Sequence, residues 1–136
     1  MVAEHNQDDD SDGTMHQLSA YNNHPSYDHR TLDYDFSMFH LTEPVDLGDL
    51  AIPACLPDLS FSGDKLVGKL VTVSGWGRLD DGDYPEELHS VDVPVISQDA
   101  CKRAYGPGAI TDSMICAGYE AGGKDSCQSD SGGTLT

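Results

Sequence analysis

A serine followed by two glycines lies near the end of the chain, within the segment 125–133, which has the sequence DSCQSDSGG. A serine hydroxyl attacks a carbonyl readily only when a neighbouring base takes its proton. Glycines beside the serine let a substrate approach the backbone, and N–H groups of such a turn can bind the oxyanion that forms. Taken alone, this composition is most simply interpreted as a polar surface loop, and nucleophilic chemistry at Ser131 is the alternative.

A second segment with chemical potential lies upstream, where aspartates stand at positions 33 and 35. The sequence HPSY at 24–27 precedes TLDYDFSMFHL at 31–41. A carboxylate can fix the tautomer of a catalytic histidine and stabilise its protonated form. Without Ser131 elsewhere in the chain, a solvated aspartate at a strand edge would be the simpler interpretation of Asp35.

Together, the two segments resemble the trypsin-like serine proteases. Segment 125–133 differs at one position from the family's DSCQGDSGG around the nucleophile, because Ser129 stands where the family has glycine. Segment 24–41 resembles the segment that carries the family's catalytic aspartate, and its DYDFS variant is similar to that of arthropod trypsins. The order aspartate then serine is that of chymotrypsin-like enzymes, whose histidine comes first.

The resemblance implies a role for each matching residue. Ser131 would be the nucleophile, and Asp35 would orient the histidine. The backbone N–H groups of Ser129 and Ser131 would form the oxyanion hole. Asp125 would form the base of a pocket for arginine or lysine, and Asp130 would pair with the new N-terminus that zymogen cleavage creates. The implied function is hydrolysis of peptide bonds after Arg or Lys through an acyl-enzyme.

Further segments extend the resemblance from about residue 2 to residue 135. They are ACLP at 54–57, TVSGWG at 72–77, VDVPVI at 91–96 and MICAG at 114–118. The implied fold is all-β, with two antiparallel Greek-key barrels that are both incomplete in this chain. Residues 1–52 would be the remainder of the N-terminal barrel. Residues 53–136 would be most of the C-terminal barrel, with the link between the barrels at its start.

Local patterns predict elements independently of the resemblance. Valines alternate with other residues around 71–73 and 91–95, which is typical of strands. Ser97 is a suitable cap for a short helix that ends near Tyr105, with Asp99 in the first turn and Gly106 just beyond. Between these elements, residues 77–85 form a turn-rich loop.

The family's catalytic histidine lies in an AAHC segment, which this chain lacks. None of the six histidines has that context, so each is predicted to be a surface or loop residue: His5, His16, His24, His29, His40 and His89. The sequence is therefore expected to be an internal piece of a protease. Since loss of one triad member leaves only oxyanion-hole and binding effects, this piece alone is expected to be inactive.

Four cysteines allow either disulfides or a metal site. No C-x-x-C spacing occurs, which disfavours zinc. By the resemblance, Cys101 and Cys116 form a family disulfide, whereas the expected partners of Cys55 and Cys127 are not in this chain.

The net charge of −17 disfavours nucleic-acid binding, because phosphate contacts need clustered Lys and Arg. Acidic residues gather in the loop from Glu4 to Asp12, which resembles the family's EHN calcium loop. Met15 falls near the position of the last glutamate ligand in that loop. A solvated acidic loop is the default interpretation, with calcium as the alternative, and no other cofactor is expected.

Neither an apolar signal-peptide core nor a stretch of transmembrane length occurs in these 136 residues. The resemblance implies a secreted enzyme whose signal lies upstream, with no membrane contact. Expected partners are peptides or proteins with Arg or Lys, and protease inhibitors.

Two other functions remain possible for this sequence. The first is a non-catalytic serine protease homologue that acts by binding, which the Ser129 difference keeps open. The second is an acidic calcium-binding module, which leaves the DSCQ segment unexplained.

Overall fold

The fold is seen in a computed structural model that describes residues 1–9, 11–58 and 63–136. The elements are two sets of antiparallel strands, a 3-10 turn and one short helix. In chain order they are β1 (Leu18–Asn23), β2 (Ser37–Leu41), the 3-10 turn (Gly63–Leu66), β3 (Leu70–Gly75), β4 (His89–Ile96), α1 (Gln98–Tyr105) and β5 (Cys116–Ala117). The predicted all-β class is confirmed, and neither sheet closes into a barrel within the described residues.

The larger sheet has the strand order β3-β4-β5. Val71 lies opposite Val93 in the register, and Val95 lies opposite Ala117. The other edge of β3 meets the end of the chain, where Thr72 and Thr136 exchange two backbone hydrogen bonds of 2.7 and 3.1 Å. This pairing brings the segment after Ser131 back against the sheet. The strands predicted from the valine patterns are confirmed.

The smaller sheet is a β1-β2 hairpin in which Tyr21 lies opposite Phe39. A register shift occurs between Leu18 and Ala20, so one extra residue disturbs the ladder there. Every residue of β1 is exposed. The hairpin carries the segment that precedes β2, and with it Asp35.

Helix α1 begins and ends as its sequence predicts. The Ser97 hydroxyl oxygen accepts a hydrogen bond from the Ala100 backbone N–H at 3.2 Å, which caps the first turn. Gly106 follows the helix with φ 89°, and its N–H donates to the Lys102 carbonyl at 3.1 Å. The capped helix carries Cys101, which is bonded to Cys116 of β5.

The buried core of the described residues is small. Only Val93, Val95 and Cys101 are buried apolar residues there, the two valines in β4 and the cysteine in α1. Large apolar side chains elsewhere are open to solvent, as Leu56 illustrates at 90% exposure. Burial of apolar area is the main favourable term in folding, so cross-links near this core matter for its stability.

The predicted disulfide between Cys101 and Cys116 is present and joins α1 to β5, with a Cα–Cα distance of 6.3 Å. Cys55 and Cys127 are exposed and carry free thiols in the described part of the chain. Replacing Cys101 and Cys116 by alanine in the full-length protein is expected to lower the free energy of unfolding by about 3 kcal/mol, as the chain-entropy model gives for a loop of this size. Urea unfolding measures the loss. Peptide mapping that linked Cys55 to Cys127 instead would contradict the assignment.

Candidate active site

Asp130 is the structural centre of the loop at 125–133. Its side chain accepts the backbone N–H of Gly77 at 2.8 Å and that of Cys127 at 2.8 Å, one on each carboxylate oxygen. The Asp130 backbone closes two turns, donating to the Cys127 carbonyl at 3.1 Å and accepting from Gly133 at 2.9 Å. Two charge-assisted bonds and two turns hold the loop against the end of β3.

The glycines around Trp76 are required by this contact. A Cβ atom added at Gly75 or Gly77 would collide with the Asp130 carboxylate. Because glycine has no Cβ, the partly buried carboxylate can reach the Gly77 N–H. The glycines of the GWG sequence at 75–77 thus leave the space that the Asp130 carboxylate occupies.

Ser131 lies on the exposed side of the same loop. In the described part of the chain, its hydroxyl makes no hydrogen bond, and the backbone N–H groups of Ser129 and Ser131 donate to no other group. Two free N–H donors two residues apart, beside an exposed hydroxyl, can bind an oxyanion next to a nucleophile. The structure therefore brings the predicted nucleophile and the predicted oxyanion donors into one loop.

Ser129 has a left-handed backbone, with φ 76°. A left-handed backbone is about 1–2 kcal/mol less favourable for a residue with a Cβ atom than for glycine. The family's glycine at this position is explained by this conformation, which the serine adopts at a cost.

Replacing Ser129 by glycine in the full-length protein is expected to raise the free energy of unfolding by about 1 kcal/mol, because the left-handed strain is relieved. If the Ser129 N–H binds the oxyanion, kcat rises as well. Urea unfolding and steady-state kinetics measure the two effects. Ser126→Gly is the matched control, since Ser126 has no positive φ and glycine there should stabilise nothing. A Ser129→Gly protein with unchanged stability and kcat would show that the serine is harmless.

Asp125 is exposed and borders two neighbouring clefts. Its carboxylate accepts the N–H of Ser126 at 2.8 Å, and it forms no ion pair with any described residue. The adjacent Lys124 places its ammonium 5.7 Å from the centre of the Tyr119 ring instead. The smaller cleft has a volume of about 400 Å³, within the range of small-ligand pockets. The Asp125 carboxylate thus has no ion-pair partner among the described residues, and it borders a cleft.

Asp35 lies at the centre of a tight turn just before β2. The Phe36 N–H donates to the Tyr34 carbonyl at 2.8 Å, which closes a three-residue turn around Asp35. The His24 N–H donates to the Phe36 carbonyl at 2.9 Å. The Asp35 carboxylate is exposed and accepts no hydrogen bond from the described residues. Its backbone is fixed while its side chain remains available.

Two histidines make side-chain contacts with described residues. His24 stacks on Tyr34 with ring centres 4.7 Å apart, and its Nδ1 accepts the Ser26 N–H at 3.1 Å. His40 lies 3.0 Å from the Asn22 amide nitrogen. Within the described residues, no histidine hydrogen-bonds to Asp35 or Ser131.

Sequence reasoning missed a cluster around Asp33. Its carboxylate accepts hydrogen bonds from the hydroxyls of Thr111 and Ser113, the first at 2.6 Å, and from the Tyr34 N–H at 3.1 Å. The Ser113 and Thr111 hydroxyls, in that order, lower the pKa of the Asp33 carboxyl. The T-x-D-x-D pattern gave a signal for Asp33, but nothing local pointed to partners about 80 residues away.

The acidic loop at 4–12 is described except for Asp10. Calcium takes six to eight oxygens. Among the described residues of this loop, Glu4 and Asp12 each keep one buried carboxylate oxygen without a partner. The other Asp12 oxygen accepts the Asn6 N–H at 2.7 Å, and Asp9 accepts the Ser11 N–H and hydroxyl, which lowers its pKa. No group of three His, Cys, Asp or Glu side chains suited to a metal occurs in the described part.

No helix within the described ranges is both long and apolar enough to cross a lipid bilayer.

Known proteins provide an independent comparison. A family model described as Trypsin matches residues 1–136. The chain is 42% identical to Trypsin 5G1 of Aedes aegypti over 127 residues, which are 92% of this chain and 47% of that protein. It is 44% identical to Trypsin-3 of Salmo salar over 114 residues, covering 82% and 46%, and 45% identical to human Serine protease 56 over 114 residues, covering 83% and 19%.

The chain thus spans about half the length of the two trypsins and less of the larger protease. The arthropod resemblance agrees with the identity to the insect trypsin. With a family match over its whole length and an antiparallel β fold, the chain belongs to the trypsin family of serine proteases.

Proposed function

We propose that this chain is part of a trypsin-like serine endopeptidase that cleaves peptide bonds after arginine and lysine. The observation that carries the proposal is the loop at 125–133. Asp130 holds it in place, Ser131 is exposed, and the N–H groups of Ser129 and Ser131 have no partner among the described residues. This combination suits acyl transfer better than simple binding.

In the proposed reaction, the Ser131 hydroxyl oxygen attacks the carbonyl carbon of the substrate, and its proton passes to a histidine. The carbonyl oxygen becomes an oxyanion that accepts hydrogen bonds from the Ser129 and Ser131 N–H groups. The C–N bond then breaks as the histidine gives the proton to the leaving amine. Water then attacks the carbonyl carbon of the resulting ester on Ser131 and gives a proton to the histidine. The histidine returns that proton to the Ser131 oxygen as the ester bond breaks.

Asp35 is proposed to orient that histidine and to stabilise its protonated form. Since no described histidine contacts Asp35 or Ser131, the base is proposed to come from a part of the protease that these 136 residues do not contain. Asp35 belongs to the proposed N-terminal unit at 1–52 and Ser131 to the proposed C-terminal unit at 53–136. The active site would form where the two units meet.

Asp130 is proposed to accept the new N-terminus after zymogen cleavage. Its two backbone bonds leave lone pairs on both carboxylate oxygens, so an ammonium group can add without displacing them. Such a pair would couple activation directly to the loop that carries Ser131.

We propose that the protease acts outside the cell, on proteins or peptides with exposed Arg or Lys, and that protein inhibitors bind the same cleft. The disulfide between Cys101 and Cys116 supports an oxidising compartment. The net charge of −17 favours the approach of cationic substrates.

A non-catalytic homologue is the second candidate, favoured by the left-handed Ser129. The deciding experiment is turnover of a peptide amide with arginine before the cleaved bond by the activated full-length protein. Sustained hydrolysis with an initial burst of product supports the endopeptidase. Tight binding of the amide without product release would instead establish the homologue.

A further inference from the structure

The loop that carries Asp35 is tied to a distant part of the chain through Asp33. The Asp33 carboxylate accepts the hydroxyls of Thr111 and Ser113, which lie between α1 and β5. The Ser113 hydroxyl oxygen also accepts the Tyr34 N–H at 3.2 Å, and the two hydroxyls lie 3.1 Å apart. We call this group of Asp33, Tyr34, Thr111 and Ser113 the Asp33 latch.

The backbone beside the latch is in an unusual conformation. Leu32 and Tyr34, the two neighbours of Asp33, are left-handed residues with φ of 56° and 51°. Residues with a Cβ are rarely found there unless surrounding contacts hold them in place. The Tyr34 N–H donates to two oxygens of the latch, the Asp33 carboxylate at 3.1 Å and the Ser113 hydroxyl at 3.2 Å.

The strained Tyr34 leads directly into the turn around Asp35. Its carbonyl accepts the Phe36 N–H at 2.8 Å, so the orientation of Tyr34 sets the orientation of this turn. The Asp35 side chain itself has no described partner that could hold it. Its position is therefore set by the backbone on either side, by Phe36, whose carbonyl accepts the His24 N–H at 2.9 Å, and by Tyr34, which the latch holds.

We propose that Asp33 is a positioning residue, which, with Thr111 and Ser113 from the other half of the chain, fixes the direction of Asp35. This role rests on the proposed function of Asp35 as the acid that orients the histidine. The latch would also join the two proposed units of the protease beside the active site, so that Asp35 and Ser131 are held in register.

The hydrogen bonds around Asp33 favour the ionised form of its carboxyl group. Hydrogen bonds from the two hydroxyls lower the pKa of Asp33, so its carboxylate is an acceptor at neutral pH. Two nearby carboxylates pair with cations: Asp112, between the two hydroxyl residues, pairs with Lys102 at 2.8 Å, and Asp28 pairs with Arg30 at 3.6 Å. The hydroxyls are thus the donors that the described structure offers Asp33 across the two segments.

The test uses the activated full-length protease and removes the donors from the far side of the latch. The double variant Thr111→Val/Ser113→Ala leaves the loop at 28–36 unaltered. Its kcat is expected to fall about 10- to 100-fold with KM changed less than about twofold, because misplacing a catalytic group by about 1 Å acts mainly on the transition state. Asp33→Ala should show the same loss, and combining all three changes should add nothing.

Two matched variants separate positioning from general stability. Ser113→Thr keeps a hydroxyl and should restore kcat to within about threefold of the parent. Asp112→Asn changes the residue between the two donors, outside the latch, and should also remain near the parent. If the double variant keeps the parent's kcat, or if Ser113→Thr is as impaired as Ser113→Ala, Asp33 is not a positioning residue.

Hydrogen exchange gives a readout that does not need activity. The Phe36 amide should exchange at least about tenfold faster in the double variant than in the parent, because the turn at Asp35 loses its support. An inactive parent would contradict the proposed function, yet this measurement would still decide whether the latch holds the turn. Unchanged exchange at Phe36 would overturn the latch itself.

Discussion

Replacing Ser131 by alanine in the activated full-length protease is expected to lower kcat by about 10⁶-fold, the loss found when another serine protease loses its nucleophile. The reason is that no acyl-enzyme can form without the hydroxyl oxygen. KM should change little, since the cleft beside Asp125 and the backbone donors remain. Steady-state hydrolysis of an arginyl peptide amide measures the effect.

Ser26→Ala is a suitable control for this prediction. Ser26 is an exposed serine that borders neither cleft beside Asp125, and its side chain makes no hydrogen bond in the described part of the chain, so its replacement should leave kcat within about twofold. A Ser131→Ala protein that retains more than about 1% of the parent's kcat would show that another group is the nucleophile.

The second large effect is expected at Asp125, where replacement by serine should abolish the preference for arginine and lysine. Asp125 is exposed in these 136 residues; in the proposed full-length protease it would form the base of a narrow pocket, where its carboxylate would need a cation to offset its desolvation. Arginine can match it with two parallel hydrogen bonds, and lysine with a point charge. If the pair is desolvated in that proposed pocket, breaking it costs several kcal/mol, so kcat/KM for Arg substrates should fall by about 10²- to 10⁴-fold.

A peptide library cleaved by parent and variant measures this preference directly. Glu120→Gln is the matched control, because Glu120 borders the broader cleft beside Asp125 and its replacement removes the same charge. It should leave the Arg and Lys preference intact. A parent that prefers tyrosine or leucine before the cleaved bond, or an Asp125→Ser protein that still prefers arginine, would remove Asp125 from this role.

Local features of the fold were predictable from the sequence because they depend on neighbouring residues. The alternating valines of β4 place Val93 and Val95 in the core, and the Ser97 cap starts α1 where predicted. The one difference from the family's segment, at Ser129, also has a local explanation, since Ser129 has φ 76°. Each of these depends on periodicity or on the steric limits of one backbone position.

Contacts between distant residues were not predictable in the same way. Asp33 meets Thr111 and Ser113 across about 80 residues, and no periodic pattern encodes that approach. The backbone partners of Asp130 were likewise hidden, since an N–H group has no sequence signature. Resemblance gave the roles of Asp35 and Ser131, whereas the turn that fixes Asp35 became visible only in the structure.

The most direct test of the central claim is covalent labelling of the activated full-length protease with a fluorophosphonate, followed by peptide mapping. If Ser131 is the activated nucleophile, one phosphonyl group should be found on Ser131, hydrolysis should stop as labelling proceeds, and Ser131→Ala should not be labelled. The label reports an activated hydroxyl, because an ordinary surface serine is a weak nucleophile. An active protease that carries its label on another residue, or none at all, would contradict the account.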